Sequence, residues 1–228
     1  MTLTRSLVVL AAAAYVVGIG GCGDSSKPYS PKPAWSGAQV SLPDVPTLSK
    51  KPIKDGDAFT VAGASHHLRS LVHVDEVKEK DLTIVGWIVK TNFAEAPACA
   101  VHPTGKADPE GCAPPVPAFW IADDKEDTKN AIKVLGFASN FAQLYDAIKK
   151  DSRAKEGDSP NTDEFLGTPL PMPTPNVGAR VKVSGQYGYA YTKATSGIET
   201  DPRMGILTYA KIEYLEKPPE RATLPGMK

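Results

Sequence analysis

Cysteine and histidine are scarce in this chain, three and four residues among 228, so their positions limit the chemistry open to it. The densest group is CAVHPTGKADPEGC, which holds Cys99, His102, Asp108, Glu110 and Cys112. Two thiols at that separation can close a disulfide, or they can join His102 and a carboxylate around a metal ion. Cys-x2-His followed by nine residues and Cys matches no common zinc spacing, which disfavours the metal. A second group is His66, His67 and His73. Adjacent residues on a strand point to opposite faces, so these are expected to be ordinary surface or half-buried histidines. Asp123-Asp124-Lys125-Glu126-Asp127 lacks the Asp/Asn alternation and the glycine of a calcium loop and is expected to be a solvated turn. G-x-S-x-G, H-E-x-x-H and phosphate-loop patterns are absent. No catalytic residue, metal or cofactor is therefore assigned, and the expectation is a protein that is not an enzyme.

The third cysteine stands in a different context. Arg5 supplies a positive start, Leu7–Ile19 an apolar run of 13 residues, and Ile19-Gly20-Gly21-Cys22 follows. A bilayer span needs roughly 20 apolar residues, and this run is too short for one. The four residues resemble the bacterial lipobox, a lipoprotein signal peptide in which small residues precede a cysteine that becomes acylated, with fatty chains such as palmitate, and is the new N-terminus. That resemblance implies residues 1–21 are removed, Cys22 is lipidated and the membrane is a partner. Gly23, in place of an Asp resembling an inner-membrane retention signal, points to the outer membrane or cell surface of a bacterial envelope. Loss of Arg5 leaves 25 basic against 26 acidic side chains, net −1, and no basic field suits a nucleic acid. With Cys22 assigned to lipid, Cys99 and Cys112 remain as one pair in an oxidising compartment, and a disulfide is expected. Closing such a loop contributes roughly 3 kcal/mol in the chain-entropy model.

The elements that must position these residues begin after a Pro-rich tether, residues 22–54, where Trp35 is either an interfacial anchor or an incidental contact. Ala58–Val77 supports either period: Phe59-Thr60-Val61 suggests a strand, while Leu68, Leu71 and Val72 fit strand or helix. Leu82–Thr91, LTIVGWIVKT, reads as a long first strand, apolar on both faces, with Gly86 as the point that lets it coil. A Pro-rich connection, residues 94–117, carries the two cysteines. Ala118–Ala122 is a second strand containing Trp120, and Ala131–Phe137 a third. Ser139 or Asn140 can cap a helix with Phe141, Leu144, Tyr145 and Ile148 on one face. A second Pro-rich insert, residues 151–177, precedes Gly178–Tyr191. In that strand Val181, Val183, Gly185, Tyr187, Tyr189 and Tyr191 share a side. Met204–Leu215 is the last strand, with Ile206, Thr208, Ala210, Ile212 and Tyr214 together. Residues 55–217 form the domain and 218–228 a flexible tail.

Strand, strand, strand, helix, strand, strand is the order of the OB-fold, a mainly β, five-stranded Greek-key barrel with a helix between its third and fourth strands. VGWIV, FWIADD, IKVLGF, ARVKVSGQYG and GILTYAKIEYLE resemble the anticodon-binding-like bacterial OB superfamily. They are also similar to a group of uncharacterised bacterial lipoproteins that carry CAVHPTGKADPEGC between the first two strands. Nucleic-acid members of the superfamily use basic and stacking residues on strands two and three. Here those strands offer Trp120, Lys133 and Phe137 beside acidic or Pro-rich loops, and no nucleic acid is expected. Trp120, His102, Tyr187, Tyr189 and Tyr191 are the candidate ligand-binding residues. The tyrosines serve equally as a stacking ladder or as a seal for the barrel. The expected role is a lipid-anchored, non-catalytic binding protein for a protein or small envelope ligand, its recognition surface the cysteine loop and the Pro-rich insert 151–177, with an exposed apolar or aromatic patch beside residues 94–117. The alternatives are a structural subunit of an envelope assembly, or a hydrolase or nuclease on the same scaffold.

Overall fold

The computed structural model describes residues 51–153, 161–193, 197–216, 220 and 222–227. The expected signal peptide, Cys22, Trp35 and nearly all of the expected tether lie outside the described residues. Among those described, no helix is long and apolar enough to cross a membrane.

The elements in order are β1 (Lys54–Asp55), β2 (Ala58–Thr60), α1 (Val61–Arg69), α2 (Val74–Val77), β3 (Lys80–Thr91) and β4 (Phe119–Ala122). After them come β5 (Ile132–Leu135), α3 (Phe141–Asp151), β6 (Arg180–Gly188), β7 (Ala190–Lys193), β8 (Gly197–Thr200) and β9 (Ile206–Tyr214). Strands β3, β4, β5, β9 and β6 pair in that order, and β6 pairs back onto β3 to close a five-stranded barrel. β5 and β9 run parallel and the other barrel pairs antiparallel. This is an OB-like barrel, and α3 occupies the expected place between its third and fourth strands. β1 and β2 extend the sheet outside the barrel through a parallel pairing of Phe59 and Thr60 with Ile84 and Val85.

Closure explains the apolar character of β3. Its N-terminal half pairs with β6 and its C-terminal half with β4, while β2 covers the remaining edge. Leu82, Ile84 and Ile88 enter the main core, and Val85 and Val89 are buried on the outside. At Gly86 a Cβ would sit 2.8 Å from the Ala122 carbonyl oxygen, so a close approach of neighbouring backbone demands glycine there. Phe137 lies at the centre of the core, against Phe93, Phe119 and Tyr209. α3 closes the barrel end with Phe141, Leu144 and Ile148 buried. Asn140 is its cap, accepting from Gln143 N at 2.9 Å.

One open stretch is resolved and two expectations need correction. The ambiguous stretch 58–77 is a short strand followed by two helices: Thr60 ends β2 and its Oγ1 accepts from Gly63 N at 2.9 Å, starting α1. Helical spacing then buries Val61, Ala64 and Leu68 on one side. The strand expected over 178–191 stops at Gly188, and Tyr191 belongs to the separate β7–β8 hairpin. In β9 the uniform alternation fails because of a bulge: Ser184 faces Lys211 while Gly185 faces Tyr209, leaving Ala210 as the extra residue. Leu207 and Tyr209 therefore fill the core before the bulge, and Ile212 and Tyr214 pack against it afterwards. A Cβ on Gly185 would lie 1.9 Å from the Thr208 carbonyl oxygen, so glycine is required opposite the bulge.

Candidate functional site

Alternation on β4 sends Phe119 and Ile121 into the barrel and Trp120 and Ala122 outwards. A register shift in β3 between Ile88 and Lys90 brings Lys90 directly opposite Trp120, and Lys133 of β5 is its partner on the other side. The result is a cross-strand row in which the Trp120 ring lies between two ammonium groups, 5.1 Å from Lys90 Nζ and 5.4 Å from Lys133 Nζ. A second row lies beside it. Trp87 sits opposite Ala122 and Arg180, with the Arg180 guanidinium 5.8 Å and Lys125 Nζ 3.8 Å from its ring. Val89, Ala122 and Ala131 form the apolar floor between the two tryptophans. A cation over an aromatic face contributes about 0.5–1 kcal/mol at such half-exposed places.

Three of these four cations are already matched. Lys90 lies 3.4 Å from Glu95, Arg180 lies 3.1 Å from Asp55, and Lys133 pairs with Glu199 of the β7–β8 hairpin. Next to Trp87 a depression of about 300 Å³ opens between Lys51, Pro52, Thr60, Gly86 and Asp123. Asp123 is not merely part of a solvated turn. Its carboxylate accepts from Val61 N at 2.8 Å and Ala62 N at 2.9 Å, holding the start of α1 against the end of β4. Asp127 does form the expected polar turn, accepting from the Asn130 side-chain amide and from Asn130 N and Lys129 N, and those hydrogen bonds, the side-chain one first, hold its carboxyl below the ordinary range.

The cysteine loop is built as a closed unit. Cys99 and Cys112 are bonded, with Cα atoms 6.2 Å apart, so neither thiol is available to a metal. At the neck, buried Asn92 donates from Nδ2 to Val116 O and accepts from Ala118 N, each at 2.8 Å. Thr104 ties the loop to α3, its N and Oγ1 donating to Asp146 Oδ2 at 3.0 and 2.7 Å. His102 is 2.9 Å from both Pro103 O and Asp108 Oδ1; acceptors at both ring nitrogens push its pKa up. No large apolar side chain between residues 94 and 117 is exposed; the aromatic ring beside the loop is that of Trp120, which packs with Val116 and lies under Lys90, the partner of Glu95. The exposed large apolar side chains among the described residues lie elsewhere, at Ile53, Leu71, Val72, Phe165, Val177, Ile198 and Leu215.

Of the candidate binding residues, Trp120 alone is on the outer barrel face. Tyr187 is fully buried and donates to Met204 O, Tyr189 is half-buried and donates to Leu68 O, and Tyr191 packs with Leu135 and Ile206. They hold α1 and the hairpin to the barrel instead of forming a ladder, because the strand break after Gly188 separates them. Burial raises the Tyr187 and Tyr191 hydroxyls above their ordinary value. Phe137 is likewise core. Sequence reasoning missed Trp87, Lys90 and Arg180, although Trp87 alternates with the inward residues Ile84, Gly86 and Ile88. It also missed Asp163, fully buried, which accepts from Ser139 N and Oγ and from Phe165 N and Leu166 N, fastening the Pro-rich insert to the approach of α3.

The histidines are not spread along a strand. His67 lies in the last turn of α1 and His73 precedes α2, and their rings stack with centroids 4.7 Å apart. Burial lowers the His67 pKa, so that ring is neutral at neutral pH. No protein-family model matches the chain, and no curated protein matches it either.

Proposed function

We propose that this chain is a membrane-anchored, non-catalytic binding protein of a bacterial envelope that takes a protein or small envelope ligand on the outer face of β3, β4 and β5. The observation that carries the proposal is the double row of Trp120 between Lys90 and Lys133 and Trp87 between Lys125 and Arg180, over an apolar floor. Flat, rigid aromatic groups with cations at their faces supply contact area at low entropic cost, and this face is where OB barrels commonly engage ligands. Carboxylates already neutralise Lys90, Lys133 and Arg180, so a phosphate backbone would have to displace them, which favours a protein or sugar-like surface over a nucleic acid. The lipobox-like segment ending at Cys22 supports the anchor and the membrane partner, and Gly23 after it supports an outer-membrane address.

A photo-crosslinking residue placed at Lys133 in living cells tests the face, with the same residue at exposed Lys211 as the control. A discrete adduct at position 133 and none at 211 is expected, and its loss in Trp120→Ala is the second readout. Equal labelling at both positions would discard the proposed face. A stoichiometric complex that survives detergent extraction and Trp120→Ala would favour the alternative, a structural subunit of an envelope assembly. Mass spectrometry of the mature N-terminus tests the anchor, and an unmodified Cys22 would remove it.

A further inference from the structure

His67 lies in the last turn of α1, His73 is the cap of α2 and Glu76 lies within it, while Ser70 fastens the turn between the helices through hydrogen bonds to residues 72, 73 and 74. The corner brings two imidazoles and a carboxylate together. His67 is only 6% exposed, yet its Nδ1 makes no hydrogen bond. A buried polar atom left without a partner is costly and calls for an explanation. Glu76 Oε2 is 3.5 Å from that nitrogen, and Glu76 Oε1 is 2.7 Å from His73 Nδ1. One ligand atom from each of the three residues lies within 4.8 Å of the other two.

We propose that His67, His73 and Glu76 form a binding site for a borderline divalent metal ion, zinc in the first instance, through two imidazole nitrogens and one carboxylate oxygen. Zinc bonds of about 2.0–2.1 Å in tetrahedral geometry place ligand atoms about 3.3 Å apart. The 3.5 and 2.7 Å separations are to the two different oxygens of Glu76 and the three ligand atoms lie within 4.8 Å of one another, so binding one ion requires the exposed Glu76 and His73 side chains to turn and draw the set together. Two imidazoles with one carboxylate suit zinc, cobalt, nickel or copper and do not suit calcium or magnesium, which take mostly oxygen donors. Three protein ligands leave a fourth position for water or for a donor from another molecule. The ion would lock α1 to α2 and so fix the turn that carries Leu71 and Val72, which are 99% and 81% exposed.

Cobalt titration of the full chain in detergent, followed by zinc displacement, tests the proposal. One cobalt per chain with visible bands of a four-coordinate ion is expected, displaced by one equivalent of zinc. His73→Ala and Glu76→Gln, both at exposed or half-exposed positions, should each weaken binding at least about 10-fold, the scale of losing even an outer partner of a metal ligand. His66→Gln and His102→Gln should bind as the parent does. Zinc should raise the Tm of the parent and leave that of His73→Ala unchanged. Circular dichroism verifies that each variant is folded. The absence of cobalt binding by the folded parent, or undiminished binding in folded His73→Ala, overturns the site.

Discussion

His102 in the cysteine loop and His67 at the end of α1 each face a carboxylate, and the surroundings give them opposite character. Both nitrogens of His102 have oxygen acceptors at 2.9 Å, the Pro103 carbonyl and Asp108, an arrangement that suits a protonated ring. His67 is packed against Phe59 and His73, its Nδ1 unbonded, and burial disfavours the charge. Proximity of histidine and acid in the sequence does not predict which outcome holds: His102 and Asp108 are six residues apart, His67 and Glu76 nine. Completeness of the hydrogen bonds separates a site that stabilises itself from one with a bond to offer.

The comparison can be broken most strongly at the loop's covalent closure. Replacing Cys99 and Cys112 together by Ser should cost about 3 kcal/mol in urea unfolding. It should return His102 to its ordinary titration while leaving metal binding at His67 intact. Asn92→Ala removes two buried hydrogen bonds at the loop neck and should cost about 2 kcal/mol by the same measurement. An unchanged midpoint would mean that the neck is held by its packing alone.

The sharpest distinction is a smaller effect, read from the imidazole C–H resonances as pH is varied. His102 should titrate above the ordinary 6.5 and His67 below it, and Asp108→Asn should move His102 down without moving His67. The signs for stability are opposed. The raised His102 pKa contributes stability that is complete below 6.5 and lost as pH rises through the folded value. The lowered His67 pKa means that the unfolded chain takes its proton first, so this contribution is lost as pH falls below 6.5. Identical titration of the two rings would erase the contrast. The smallest expected effect is that of His102→Gln, which should change stability by less than about 1 kcal/mol, as for other half-exposed ion pairs.

Much of the architecture is legible locally. The strand order, the helix of Phe141, Leu144 and Ile148, and the pairing of Cys99 with Cys112 follow from periodicity and cysteine count, which neighbouring residues are sufficient to express. Trp120 falls on the second strand for the same reason, but AFWIA is apolar throughout and does not say which face the ring takes. The metal-ligating corner was hidden because 58–77 fits two periods, and a strand places adjacent histidines apart where a helix and a turn bring His67 and His73 together. The tyrosine ladder failed because alternation cannot show that a strand ends at Gly188. The bulge at Ala210 was equally silent, since one extra residue reverses every side chain beyond it.

What the sequence determined by itself is the five barrel strands and α3 in their order, the cysteine loop and the N-terminal segment resembling a lipobox, all properties carried by short runs of residues. Tertiary structure alone decided that Lys90, Trp120 and Lys133 form a row, that Asp123 caps a helix some 60 positions away, and that Asn92 and Asp163 fasten the two Pro-rich loops. Each depends on cross-strand register or on a buried hydrogen bond between distant segments. Neither leaves a periodic trace, because the free energy that selects it comes from closing the barrel and satisfying its interior polar groups.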